Sequence, residues 1–187
     1  MRIDRLRNEY DVGVKWIAFP LHPETPEEGL TLEELFAGRA VDIPVIQQRL
    51  KRAAESLGLP LSDRTKTYNS RLAQELAKWA EFKGEGDKFH DAVFKAYFAD
   101  GKNIARTDEL VSLATSVGLP ENEARRVIKA RTFREAVDAD WERSHLMGIT
   151  AVPTFVLGEQ KITGFQPHEI LEDFLNRCGL KKREGRL

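Results

Sequence analysis

Cysteine is nearly absent from this chain. Its 187 residues hold one, Cys178, which excludes an intramolecular disulfide and a cysteine-rich metal site. Long apolar runs are also lacking. None approaches the ~20 residues of a membrane-spanning helix, and Met1-Arg2-Ile3-Asp4-Arg5 has no apolar stretch of the secretory kind. The expected location is therefore cytoplasmic, with no membrane partner. Neither sign of charge dominates: 29 Lys and Arg stand against 30 Asp and Glu, a net charge of -1. No nucleic-acid partner is expected, because the only basic clusters, Arg125-Arg126 and Lys181-Lys182-Arg183, read as solvated surface. There is no glycine-rich phosphate loop, no Ser-His-Asp signature, no internal repeat and no low-complexity segment. His22, His90, His145 and His168 form no i, i+4 pair with a third ligand, so no metal and no cofactor is expected.

What is present suits a globular protein: 41% hydrophobic and 32% charged residues, in a chain long enough for one domain or one domain with an insertion. Ile3, Leu6 and Tyr10 recur at helical spacing and place Met1 inside a helix that Asp11-Val12-Gly13 ends. Val14 to Phe19 is β-branched, aromatic and mostly apolar on both faces, which predicts an inner strand stopped by Pro20. A proline-broken loop follows, then a short helix opened by Thr31 with Glu33 and Glu34 in its first turn. Glu24, Glu27 and Glu28 read as solvated loop.

From Pro44 to Met147 the pattern is helical throughout. Pro44 to Leu57 has Val45, Ile46, Leu50, Ala54 and Leu57 on its inward face. Further helices are predicted over 69–82, 87–98, 107–117, 120–130 and 132–147, with no strand among them. Trp79, Phe82, Phe89, Phe94, Tyr97, Phe98, Phe133 and Trp141 form their core. His90 and His145 belong to helical faces; His22 lies in the loop after the strand, where a pH-sensitive role is conceivable.

The last forty residues are the most informative. Gly148-Ile149-Thr150-Ala151-Val152-Pro153-Thr154-Phe155 puts a proline immediately before an apolar strand, where the missing N–H is tolerated. Gly158-Glu159-Gln160 turns the chain into a return strand, Lys161-Ile162-Thr163, and Gly164 leads to a helix from Pro167 to Cys178. Cys178 sits at the C-terminal end of that helix, where the dipole disfavours a thiolate, and reads as a small apolar residue. The basic tail beyond Gly179 reads as frayed.

Strand, helical insertion, proline, hairpin and helix in this order resemble the DsbA-like thioredoxin family, FrnE branch. Val14 to Gly29 resembles its second strand and following loop, Ala151-Val152-Pro153-Thr154-Phe155 its cis-proline loop and third strand, and Gly164-Phe165-Gln166-Pro167 the lead-in to its last helix. The resemblance implies an α/β thioredoxin-like fold with a large all-helical insertion. The core takes residues 1–41 and 148–187, and the insertion 42–147. It implies a thiol–disulfide oxidoreductase acting on a thiol- or disulfide-containing protein or a small thiol such as glutathione, with Ala151, Val152, Pro153 and Thr154 binding substrate; a homodimer is one assembly open to it.

The family begins with a strand and a Cys-x-x-Cys at a helix N-terminus, and these residues contain neither, so no catalytic residue is assigned. A segment of about a dozen residues plus a strand is expected ahead of Met1, through a gene start placed too far downstream. Otherwise Val14–Phe19 and the hairpin join in a modified sheet, or another chain supplies the strand. Two other readings stay open: a relative of kappa-class glutathione transferases and 2-hydroxychromene-2-carboxylate isomerases, and a non-catalytic binding module.

Overall fold

A computed structural model describes residues 2–183. Met1, expected in the first helix, and residues 184–187 lie outside the described residues. The chain divides into two compact units, Met1–Leu21 with Asp140–Leu187, and His22–Ala139.

The first unit holds α1 (Arg2–Glu9), a hairpin of β3 (Thr154–Leu157) and β4 (Gln160–Thr163), and α9 (His168–Arg177). The hairpin is antiparallel, with Phe155 opposite Ile162 and Leu157 opposite Gln160. Alternation along β3 turns Phe155 and Leu157 toward α1 and α9 while Val156 stays exposed. Leu6, Tyr10, Leu171, Phe174 and Leu175 complete this core. Tyr10 is fully buried, and its hydroxyl donates to Asn176 Oδ1 at 3.2 Å.

Three expectations for this unit fail. Val14–Phe19 is not a strand: the segment is half-buried apart from the exposed Lys15, and no β-ladder includes it among the described residues. Contacts that hold it include the Ala18 N–H donating to Asp140 Oδ2 at 2.8 Å and Arg7 Nη2 donating to the Val14 carbonyl at 3.4 Å. The modified sheet is not formed either; among the described residues β3 and β4 pair only with each other. Nor is the tail frayed as far as Arg183. A helix leaves its last carbonyls without partners. Here the Arg183 N–H donates to the Glu9 carbonyl at 2.7 Å, Arg183 Nε donates to the Tyr10 carbonyl at 3.1 Å, and Tyr10 bridges Lys182 in antiparallel fashion.

The second unit holds β1 (Leu30–Thr31), α2 (Leu32–Leu35), α3 (Ile43–Glu55), β2 (Lys66–Thr67), α4 (Arg71–Phe82), α5 (Gly86–Phe94) continuing into a π-helical turn (Lys95–Ala99), α6 (Thr107–Ser116) and α7 (Glu121–Ala130). The connecting helix α8 runs Arg134–Leu146. Thr31 caps α2 with a full capping box, its Oγ1 accepting from the Glu34 N–H while Glu34 accepts from the Thr31 N–H. The core lies among α4, α5, α6 and α7, around Leu76, Trp79, Phe89, Leu110, Val111, Ala124 and Ile128.

The all-helical reading misses one element. Leu30–Thr31 pairs with Lys66–Thr67, a two-residue ladder too short to leave a periodic trace in the sequence. Gly29 permits it: its φ is +80°, and a Cβ there would stand 2.5 Å from the Thr67 carbonyl oxygen. The expected burial is also wrong in places. α3 forms, but none of its residues is buried, and Val45, Ile46, Leu50 and Leu57 are exposed. Phe82 is 76% exposed and Phe94 47%, so neither is core. Periodicity records which side of a helix is apolar; it does not record whether another element covers that side. Trp141, assigned to the same core, is half-buried in the first unit.

A buried carboxylate organises one end of this core. Glu75, 3% exposed, accepts from Arg71 Nε at 2.6 Å and from Arg131 Nε and Nη2 at 2.7 and 2.6 Å. Burial pushes the Glu75 carboxyl up, but the Arg131 and Arg71 hydrogen bonds outweigh it and hold the group below the usual carboxylate range. Arg131 follows α7 with φ +52°. Its N–H donates to Ile128 and that of Thr132 to Val127, a Schellman termination with arginine where glycine is usual.

Glu75→Gln is expected to destabilise the chain by about 3 kcal/mol, since it leaves two guanidinium groups against a neutral partner; urea denaturation followed by circular dichroism measures this. In the first unit, the Glu9 carboxyl is held down to about 2, first by the hydrogen bond from Arg5. A carboxyl depressed in the folded state contributes stability above its ordinary value and loses it as pH falls toward the depressed one. The stability difference between wild type and Glu9→Gln should therefore be constant above about pH 4.5 and shrink steadily toward pH 2, read from denaturation midpoints across that range.

Candidate functional site

The loop ahead of β3 presents the four residues expected to bind substrate. Ala151, Val152 and Pro153 are exposed and Thr154 is half-buried. The Val152–Pro153 peptide bond is cis. Pro153 brings no N–H, and its carbonyl accepts from the Gly164 N–H at 2.8 Å, which joins the loop to the end of the return strand. Gly164 makes that contact at φ +94°. Thr154 Oγ1 donates to the Ala151 carbonyl at 2.7 Å and lies 3.1 Å from Thr163 Oγ1 across the hairpin. Gln166 Nε2 donates to the Thr163 carbonyl at 2.7 Å. The loop is thus fastened at Ala151, Pro153 and Thr154. Among the described residues the Val152 N–H and carbonyl enter no backbone hydrogen bond. Val152 and Phe165 are 45% and 55% exposed. A fixed loop with one unpaired peptide unit beside exposed apolar side chains is what an extended segment needs in order to pair with it.

The sulfur chemistry is not in this loop. Cys178 is half-buried against Phe174 and its neighbours in the first unit's core, which fits a small apolar residue. His22 belongs to the second unit, half-buried; burial first, then the charges of Arg39 and Arg64, lower its imidazole pKa. His90 stacks on Phe94 with ring centroids 4.3 Å apart, and burial lowers its pKa as well. His145 is exposed.

Sequence reasoning missed one cluster. His168, in the first turn of α9, is 7% exposed, and its Nε2 lies 3.2 Å from Glu9 Oε2 and 3.6 Å from Glu172 Oε1. Lys182 pairs with Glu172 and stands 3.5 Å from Glu9 Oε2. His168 and Glu172 show the i, i+4 spacing in the sequence; Glu9, far away in the chain, is brought in by the packing of α1 on α9. These three are the group among the described residues whose donor atoms could share a metal ion.

No helix among the described residues is long and apolar enough to cross a membrane. The chain is 29% identical over 182 residues to YwbO of Bacillus subtilis strain 168, an uncharacterized protein, covering 92% of this chain and 85% of that one. It superposes with a TM-score of 0.79 on a protein described as a probable DsbA oxidoreductase, SCO1869 of Streptomyces coelicolor, at 24% identity over 91% of this chain and 77% of the other. A 2-hydroxychromene-2-carboxylate isomerase superposes with a TM-score of 0.72 at 17% identity, over 95% and 85% of the two chains. The DsbA-like thioredoxin fold is common to these structures. The family model of the DSBA-like thioredoxin domain matches residues 1–176, and the chain belongs to that family.

Proposed function

We propose that this chain is the substrate-binding body of a thiol–disulfide oxidoreductase of the FrnE branch, working in the cytoplasm. It would take an extended thiol- or disulfide-containing polypeptide across Ala151, Val152, Pro153 and Thr154. The thioredoxin-like core of this reading is residues 1–41 and 148–187, with residues 42–147 as the insertion. The observation that carries it is the unpaired peptide unit of Val152, on a loop held at both sides. A substrate strand pairs there through its main chain, and its side chains settle against Val152 and Phe165.

The reaction class is thiol–disulfide exchange. A thiolate attacks one sulfur of the substrate disulfide, the other sulfur leaves as a thiolate, and a second cysteine resolves the mixed disulfide. One cysteine, half-buried in the core, cannot serve both roles. The pair would come from outside these 187 residues, and the reading frame upstream of Met1 is the direct check. An in-frame strand followed by Cys-x-x-Cys supports the reading; a stop codon directly before Met1 overturns redox activity for this polypeptide.

The isomerase superposition supports a second reading, a glutathione-using enzyme with serine in place of the first cysteine. Saturable glutathione binding to the purified chain, with no binding of extended peptides, would favour it.

For the docking loop, Val152→Asp is expected to weaken binding of an extended, cysteine-containing peptide on the order of tenfold. It should leave the thermal midpoint unchanged, because the side chain is exposed. Fluorescence anisotropy with a labelled peptide measures the first effect and a melting curve the second. Equal affinity in both proteins overturns docking at this loop.

A further inference from the structure

We propose that Glu9, His168 and Glu172 form a site for a divalent transition-metal ion, with Lys182 as the cation that fills it when metal is absent. Three donors around an ion at about 2.1 Å in tetrahedral geometry stand about 3.4 Å from one another. His168 Nε2 lies 3.2 Å from Glu9 Oε2 and 3.6 Å from Glu172 Oε1, and all three donor atoms fall within 4.8 Å. Two edges of the required triangle are already in place, and the third is no longer than 4.8 Å.

The histidine separates this cluster from a chance gathering of acids. Its ring is buried to 7% exposure, and Nδ1 is enclosed with no hydrogen-bond partner among the described residues. The nitrogen that faces both carboxylates is Nε2. The donors stand on α1 and α9, whose packing through Leu6, Leu171 and Leu175 fixes their separation. One imidazole and two carboxylates suit Zn2+ and its neighbours better than Ca2+ or Mg2+, which ask for six or more oxygens or an octahedral shell of them. Three protein ligands leave a fourth position for water.

Two cations already face the cluster. Arg5 Nε donates to Glu9 Oε1 at 2.6 Å, on the oxygen away from His168. Lys182 faces the same Glu9 oxygen and the same Glu172 oxygen that would ligate the ion. Metal and ammonium therefore compete for the same lone pairs, and occupancy by one excludes the other. The competing description is an ion-pair lock with no metal role, and under it removal of Lys182 brings no gain in metal affinity.

The experiment titrates Zn2+ into the Cys178→Ala chain by isothermal calorimetry, with and without Lys182→Met. Alanine at 178 removes the thiol as a rival ligand, and Lys182 is half-exposed, so both variants should keep the fold. One equivalent is expected to bind, on the order of tenfold more tightly when Lys182 is methionine. Glu172→Gln is expected to reverse that gain. Because His168 is buried, its part is read without mutation: Co2+ in the Lys182→Met protein should give tetrahedral visible absorption and broaden the His168 ring signals in NMR spectra. Absence of saturable one-equivalent binding, an affinity indifferent to Lys182→Met, or broadening at His22, His90 or His145 instead would overturn the site.

Discussion

Tyr10 is the side chain on which the first unit turns. Its ring is shut away completely among Leu6, Leu171, Phe174 and Leu175, and its hydroxyl finds Asn176 at the far end of α9. A buried phenol without such a partner would cost on the order of 1–3 kcal/mol, so the contact selects one register of α1 against α9 as well as holding them together. The hairpin lies on those helices through Phe155, Leu157 and Ile162, and the loop at Val152 leaves the hairpin from that supported end. Position in the loop is thus inherited from a contact well away from it in sequence. The same register sets Glu9 beside His168, since Glu9 precedes Tyr10 by one residue.

Much of this was readable from residue types alone. The proline before an apolar strand, the glycine-bounded turn and the terminal helix each have a local chemical cause, and β3, β4 and α9 form where those causes act. Thr31 with Glu34 likewise announces α2, because a capping box is completed within four residues. Failures cluster where the outcome depends on a distant partner. Val14–Phe19 has the composition of a strand, but a strand exists only against another strand, and composition does not supply one. α3 has an apolar stripe, yet whether Val45 and Leu50 are covered is decided by other elements. The Lys66–Thr67 ladder depends on a glycine thirty-seven residues or more earlier in the chain and leaves no period of its own.

The candidate site divides in the same way. The bend at Pro153 was legible because proline constrains its own neighbourhood, while the substrate-binding role given to Ala151 to Thr154 came from the family resemblance. Glu9, His168 and Glu172 were not visible as a group. Two of them sit one helical turn apart and could be paired on paper, but the third enters from the opposite end of the chain, and the Lys182 ammonium that neutralises them lies in a tail whose sequence says only that it is basic.

The left-handed turn at Arg131 carries one more implication. A side chain with a Cβ costs roughly 1–2 kcal/mol in that conformation, a cost glycine would not incur. Arginine is held there because its guanidinium reaches Glu75 with two hydrogen bonds, so backbone shape at the end of α7 is conditional on the ionisation of a residue on α4. Neutralising that carboxylate removes the reason for the turn, and in acid the first part of the helical unit to loosen would be this junction and not the aromatic core beside it.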